Sequence, residues 1–132
     1  MQDLFRAAER KNIKIEYARL PINKSMSSQI DDGCCVIMDY SLMWMVAVER
    51  VHLAHELGHC VTGALYNPYS AYNIRAKHET RADKWAIKKL VPKDELEEAV
   101  SEGNTECWQL AEYFGVTCEF MAKAIMYYNH LI

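Results

Sequence analysis

The five residues His55-Glu56-Leu57-Gly58-His59 restrict this chain more than any other segment. On an α-helix, residues four apart differ by only about 40° around the axis, so both imidazoles can reach one ion. Glu56 falls about 100° from His55, on the flank of the same face, where it can hold a water bound to the ion rather than the ion itself. A helix with this pattern is how a zinc hydrolase is built.

The surrounding sequence supports a long helix. A start after Ser41 as N-cap and an end near Leu65, with Asn67-Pro68 stopping it, encloses an apolar face made of Ala47, Val51, Ala54, Gly58, Val61 and Leu65. Beside that face runs a polar seam at helical spacing: His52, His55, His59, Thr62 and Tyr66. Upstream, Gln2 to Lys11 reads as an amphipathic helix, and Ile13, Ile15 and Tyr17 alternate with Lys14 and Glu16 as in a half-buried strand. The region to Ile30 is poorly patterned. Asp31-Asp32-Gly33 is a turn signal, followed by the β-favouring run Cys34 to Met38, so a small antiparallel sheet is expected.

A second helix is expected from Asn73 to Leu90, stopping before Pro92. Lys77, Arg81, Lys84 and Lys88 form its basic, solvated stripe. Glu79, Ala82, Asp83, Ala86, Ile87 and Leu90 fall on the opposite side, so two acids share the core-facing surface and call for a cation. Shorter helices follow over Lys93 to Glu102, Thr105 to Phe114 and Thr117 to His130, the last two as a C-terminal helical hairpin at about 105–130. Trp44, Trp85 and Trp108 read as core. The expected fold is α+β: mainly helical with a small antiparallel sheet, one domain over residues 1–132.

A hydrolytic zinc site takes three protein ligands and keeps a fourth position for water, so His55 and His59 need a third donor. Glu79 is the expected one, facing inward from a helix that returns after a loop. Asp83 shares its face and is placed to accept a hydrogen bond from the outer nitrogen of His55 or His59, orienting that ring. Zinc would acidify a bound water, and Glu56 would take its proton and pass it to the departing amine. For a second stabiliser of the carbonyl oxygen, Tyr66, Tyr69, Tyr72, Arg75 and His78 all remain open. His52 is read as a packing or surface residue, and Cys60, about 100° from His59, as core.

The formal charge of −3 gives no electrostatic reason to bind nucleic acid or an anionic membrane. The charged N-terminus does not resemble a secretory signal, and the uncharged stretch Tyr40 to Val48 is too short to span a bilayer, so a cytoplasmic protein is expected. Its five cysteines lack Cys-x-x-Cys spacing and are expected to be reduced thiols packed as small hydrophobes.

Leu53-Ala54-His55-Glu56-Leu57-Gly58-His59 resembles the zinc-binding helix of the ImmA/IrrE metallopeptidases, a family found on mobile genetic elements and in bacterial stress responses. His78-Glu79-Thr80-Arg81-Ala82-Asp83-Lys84-Trp85-Ala86 resembles the family's Glu-x-x-Ala-Asp segment, and Leu90-Val91-Pro92 its Leu-x-Pro helix ending. Asn67-Pro68-Tyr69-Ser70 and Leu110 to Val116 are similar to prophage-borne members. The resemblance implies a zincin-like fold with the small sheet packed on the metal-binding helix, His55, His59 and Glu79 as ligands and Glu56 as general base. It also implies a protein substrate, a helix-turn-helix repressor encoded nearby, aligned along an edge strand for which Cys34 to Met38 is the expected one.

A zinc endopeptidase is therefore the first reading. The alternative is a zinc-stabilised, non-catalytic binding protein that sequesters or remodels such a repressor; retention of Glu56 favours catalysis, since a structural site needs no general base. Leu110 to Thr117, read as the first helix and turn of a helix-turn-helix, would make it a DNA binder. Against this, Thr105 to Ile132 carries Glu106, Glu112 and Glu119 with a single Lys123, too little positive charge for phosphate contacts. Imidazole and carboxylate donors also accept divalent metals other than zinc.

Overall fold

A computed structural model of the protein describes residues 1–30, 33–63 and 72–129. The elements, in chain order, are α1 (Gln2–Arg10), β1 (Lys14–Ala18), β2 (Ser25–Ile30), β3 (Gly33–Asp39), a 3₁₀ turn (Tyr40–Trp44), α2 (Val46–Thr62), α3 (Tyr72–Leu90), α4 (Lys93–Ser101), α5 (Cys107–Phe114) and α6 (Cys118–Tyr128). This is an α+β, zincin-like arrangement, mostly helical with a three-stranded sheet.

The sheet is mixed, which corrects the antiparallel expectation. Its order is β1-β3-β2, with β3 parallel to β1 (Ile15 opposite Val36) and antiparallel to β2 (Ser28 opposite Cys35). Alternation along a strand tells which face is buried but not which way its neighbour runs. The run Cys34 to Met38 lies inside β3, where Cys35, Val36 and Met38 are buried as in a central strand covered on both faces. It is therefore not an edge. β2 is the edge strand that packs on α2, although its sequence, Ser-Met-Ser-Ser-Gln-Ile, gives little sign of a strand. Pairing with β3 and packing on α2 stand in for the propensity it lacks.

The long helix is shorter than expected at both ends. Asp39, not Ser41, is the cap: its carboxylate accepts from the Ser41 backbone N–H at 3.0 Å and from the Ser41 hydroxyl, holding a 3₁₀ turn rather than an α-helix. These bonds, with one from the Leu20 backbone, hold the Asp39 carboxyl down at a pKa of about 2. The α-helix starts after Met45 and stops at Gly63, which adopts φ 70°, a left-handed cap that suits glycine. Leu65 and Asn67-Pro68 lie outside the described residues. Shifting the helix start leaves Trp44 at the end of the 3₁₀ turn, 88% exposed rather than in the core. Trp108 is also exposed, because α5 buries Leu110, Ala111 and Phe114 instead; Trp85 is half-buried against the core.

The core lies between the sheet and the helices. Leu53, Ala54 and Leu57 of α2 meet Val36 and Met38 of β3 on one side, and Ala86, Ile87 and Leu90 of α3 on the other. Where α2 crosses α3, a Cβ at Gly58 would lie 2.5 Å from the Ala82 carbonyl oxygen. Glycine there lets the two backbones touch, which sets the separation between His59 and the acids of α3.

One cysteine pair departs from the reduced-thiol expectation. Cys34 at the start of β3 and Cys60 in the last turn of α2 form a disulfide, with Cα atoms 5.9 Å apart. Their sequence separation of 26 carries no recognisable spacing, and only the packing of β3 on α2 brings them together. Cys35, Cys107 and Cys118 are free thiols.

Candidate metal centre

The α2–α3 crossing brings His55, His59 and Glu79 together. His55 and His59 turn their Nε2 atoms toward one another at 3.2 Å, and the Glu79 carboxylate closes the triangle, one oxygen 2.8 Å from His55 Nε2 and the other 3.0 Å from His59 Nε2. A tetrahedral zinc site with bonds of about 2.0–2.1 Å has ligand atoms about 3.3 Å apart, so this triangle is close to one face of such a site. The donors also differ in burial: His59 is buried, whereas Glu79 is 42% exposed and leaves the open side to solvent. Two nitrogens and a carboxylate facing one point, each already oriented, form a group that could hold a metal ion.

Asp83 sits behind His55. Its Oδ1 lies 2.8 Å from His55 Nδ1, leaving Nε2 directed at the triangle. The other carboxylate oxygen accepts from Lys123 Nζ of α6 at 3.1 Å, so α6 braces the acid that braces the imidazole. Burial pulls the His55 pKa down, but the hydrogen bonds that the ring donates to Asp83 and Glu79 outweigh it and raise it to about 10. Hydrogen bonds from the two histidines hold Glu79 far below the usual carboxylate range. Burial pushes the Asp83 pKa up, and its bonds to His55 and Lys123 more than reverse that.

Glu56 stands apart from the triangle. It is buried, 7% exposed, and its Oε2 accepts a 2.8 Å hydrogen bond from Ser25 Oγ, the first residue of β2. His52 Nδ1 lies 2.7 Å from the same hydroxyl, so His52 is a hydrogen-bonded packing residue and not a member of the donor group. Sequence reading missed Ser25 and Lys123. His52 recurs on the histidine seam one turn before His55 and Glu56, a signal that could have prompted a search for its partner.

A shallow cleft runs past this group, lined by Asn23, Lys24 and Ser25 on one side and by Glu79, Asp83 and Phe120 on the other. Of the possible oxyanion stabilisers, Tyr66 and Tyr69 lie outside the described residues, as does the Tyr72 side chain. Arg75 is exposed on α3 and His78 half-buried, and neither lines this cleft.

Comparison with known families agrees with the geometry. Residues 8–126 match the peptidase M78 family, described as the IrrE N-terminal-like domain. The chain belongs to that family. As a member of the M78 peptidases it carries both the His-Glu-x-x-His helix and the acid-bearing helix within the matched region. No curated protein matches the chain significantly. None of the described helices is long and apolar enough to cross a membrane.

Proposed function

We propose that this chain is a zinc-dependent endopeptidase that hydrolyses a peptide bond in a protein, a helix-turn-helix transcriptional repressor being the favoured substrate. The observation that carries this reading is Glu56: a carboxylate buried beside the donor triangle, yet outside it and held by a neutral hydroxyl. A structural metal site has no use for such a group.

His55, His59 and Glu79 would hold the metal, and Asp83 would fix the His55 ring. A bound divalent ion supplies a Lewis acid that lowers the pKa of water and polarises a carbonyl oxygen. Glu56 accepts the proton of the attacking water and returns it to the departing amine. The outer edge of β2, unpaired among the described residues and beginning at Ser25 beside Glu56, is where an extended peptide would add as a further strand. A partner read as DNA is disfavoured, because the one lysine of the C-terminal segment, Lys123, is engaged with Asp83.

The test is to incubate the zinc-loaded chain with the repressor encoded beside its gene and to read the products by intact mass, with Glu56→Gln as control. Two fragments from the wild type alone are expected, and their masses locate the bond. An uncut repressor that co-purifies with both forms would instead support a binding protein that sequesters its partner.

A further inference from the structure

We propose that Ser25 and His52 act as a clamp that positions Glu56, with the proton on His52 Nδ1 and the Ser25 hydroxyl proton committed to the Glu56 carboxylate. The inference rests on the reading of Glu56 as general base and adds the residues that aim it.

Counting protons fixes the direction of the network. A serine hydroxyl has one proton to give, and an ionised carboxylate can only accept. Ser25 Oγ lies 2.8 Å from Glu56 Oε2 and 2.7 Å from His52 Nδ1, both within hydrogen-bond range. If the hydroxyl donates to Glu56, it must accept from His52, and Nδ1 must then carry the hydrogen. Burial lowers the pKa of His52, which favours the neutral ring. A neutral imidazole with its hydrogen on Nδ1 leaves Nε2 without one.

The arrangement suits a base that must stay aimed. Glu56 is buried, and a buried carboxylate without a donor is strongly disfavoured. Ser25 supplies that donor through a neutral hydroxyl, so Glu56 is held in place without an ion pair to a lysine or arginine. With Oε2 held by the hydroxyl, proton uptake falls to Oε1. Ser25 is itself pinned: it is 9% exposed, opens β2, and pairs with Met38 of the central strand. His52 lies one turn before Glu56 on α2, so the clamp joins the edge strand to the metal-binding helix through three side chains. Ser25 and His52 are not members of the donor group, and both are positioning residues rather than catalytic ones.

The direct readout is the tautomer of His52, from long-range proton–nitrogen spectra of nitrogen-15-labelled protein, metal-free and zinc-loaded, with His52→Gln to assign the ring. The Nδ1–H form is expected in the wild type, and Ser25→Ala should release the ring toward the Nε2–H form common in solution. A wild-type ring with its hydrogen on Nε2, or a tautomer indifferent to Ser25→Ala, overturns the clamp. The second readout is cleavage of the neighbouring repressor: Ser25→Ala should lower kcat by about 10- to 100-fold with KM within a few-fold, as expected for a misaimed base. Ser25→Thr, which keeps the hydroxyl, should recover most of that loss. Zinc content should be unchanged in all three. A Ser25→Ala protein that cleaves like wild type refutes the positioning role even if the tautomer is as expected. A wild type that cleaves nothing counts against the peptidase reading, and the tautomer still decides the clamp.

Discussion

The two flanks of the donor triangle are built from opposite materials. On the α3 side, Glu79 and Asp83 are partly exposed, charged, and compensated by imidazoles and by Lys123. On the β2 side, Glu56 is buried and meets a neutral hydroxyl backed by an imidazole. The charged flank gathers two imidazoles and two carboxylates that a cation could draw together. The other flank holds its carboxylate through a neutral hydroxyl. One side suits binding, the other proton transfer, and substitutions should separate them.

The largest expected effect is on the charged flank. Glu79→Gln should reduce retained zinc from about one equivalent to under about a tenth, since two imidazoles alone hold the ion weakly. Elemental analysis after dialysis checks this, and full retention would break the comparison. Gly58→Ala comes next, because it acts on the crossing that sets the distance between flanks. The added methyl would meet the Ala82 backbone at 2.5 Å, which should destabilise the fold by about 1–3 kcal/mol in thermal or denaturant unfolding and loosen the metal site. Asp83→Asn keeps the shape but weakens the brace on His55, and zinc affinity by chelator competition should fall about 10- to 100-fold.

The finest effect is in pH. With the His55 pKa raised to about 10, the ring is protonated at pH 7 in the metal-free protein, and zinc uptake must expel that proton. Affinity should therefore climb with pH toward 10 and fall as pH drops. Calorimetry at pH 7 in two buffers of different ionisation heat should show release of a proton on binding. The same pair stabilises the metal-free fold fully below the unfolded pKa near 6.5, and that contribution is lost as pH rises through about 10. In Asp83→Asn, which removes one of the acids raising that pKa, proton release at pH 7 should shrink.

The charged flank was legible in the sequence, and of the other flank only Glu56 was. His55, His59, Glu79 and Asp83 sit on two helices, and helical spacing alone places His55 with His59 and Glu79 with Asp83 on shared faces. What spacing could not supply was the pairing of strands. β2 has three serines and no clear alternation, so neither the edge strand nor Ser25 could be read before β3 was seen to pair with it. The same blindness to long-range contact hid the Cys34–Cys60 disulfide and the ion pair between Lys123 and Asp83. Local chemistry misled at the start of α2, where Ser41 looked like the cap but serves as donor to Asp39 in a 3₁₀ turn.

The most direct measurement is anomalous diffraction at the zinc edge from crystals of the wild-type chain soaked in zinc. The account predicts one strong peak bonded to His55 Nε2, His59 Nε2 and the Glu79 carboxylate at about 2.0–2.2 Å, with Glu56 unbonded to it and still held by Ser25. A peak ligated by Glu56, or no peak at the triangle, would contradict it.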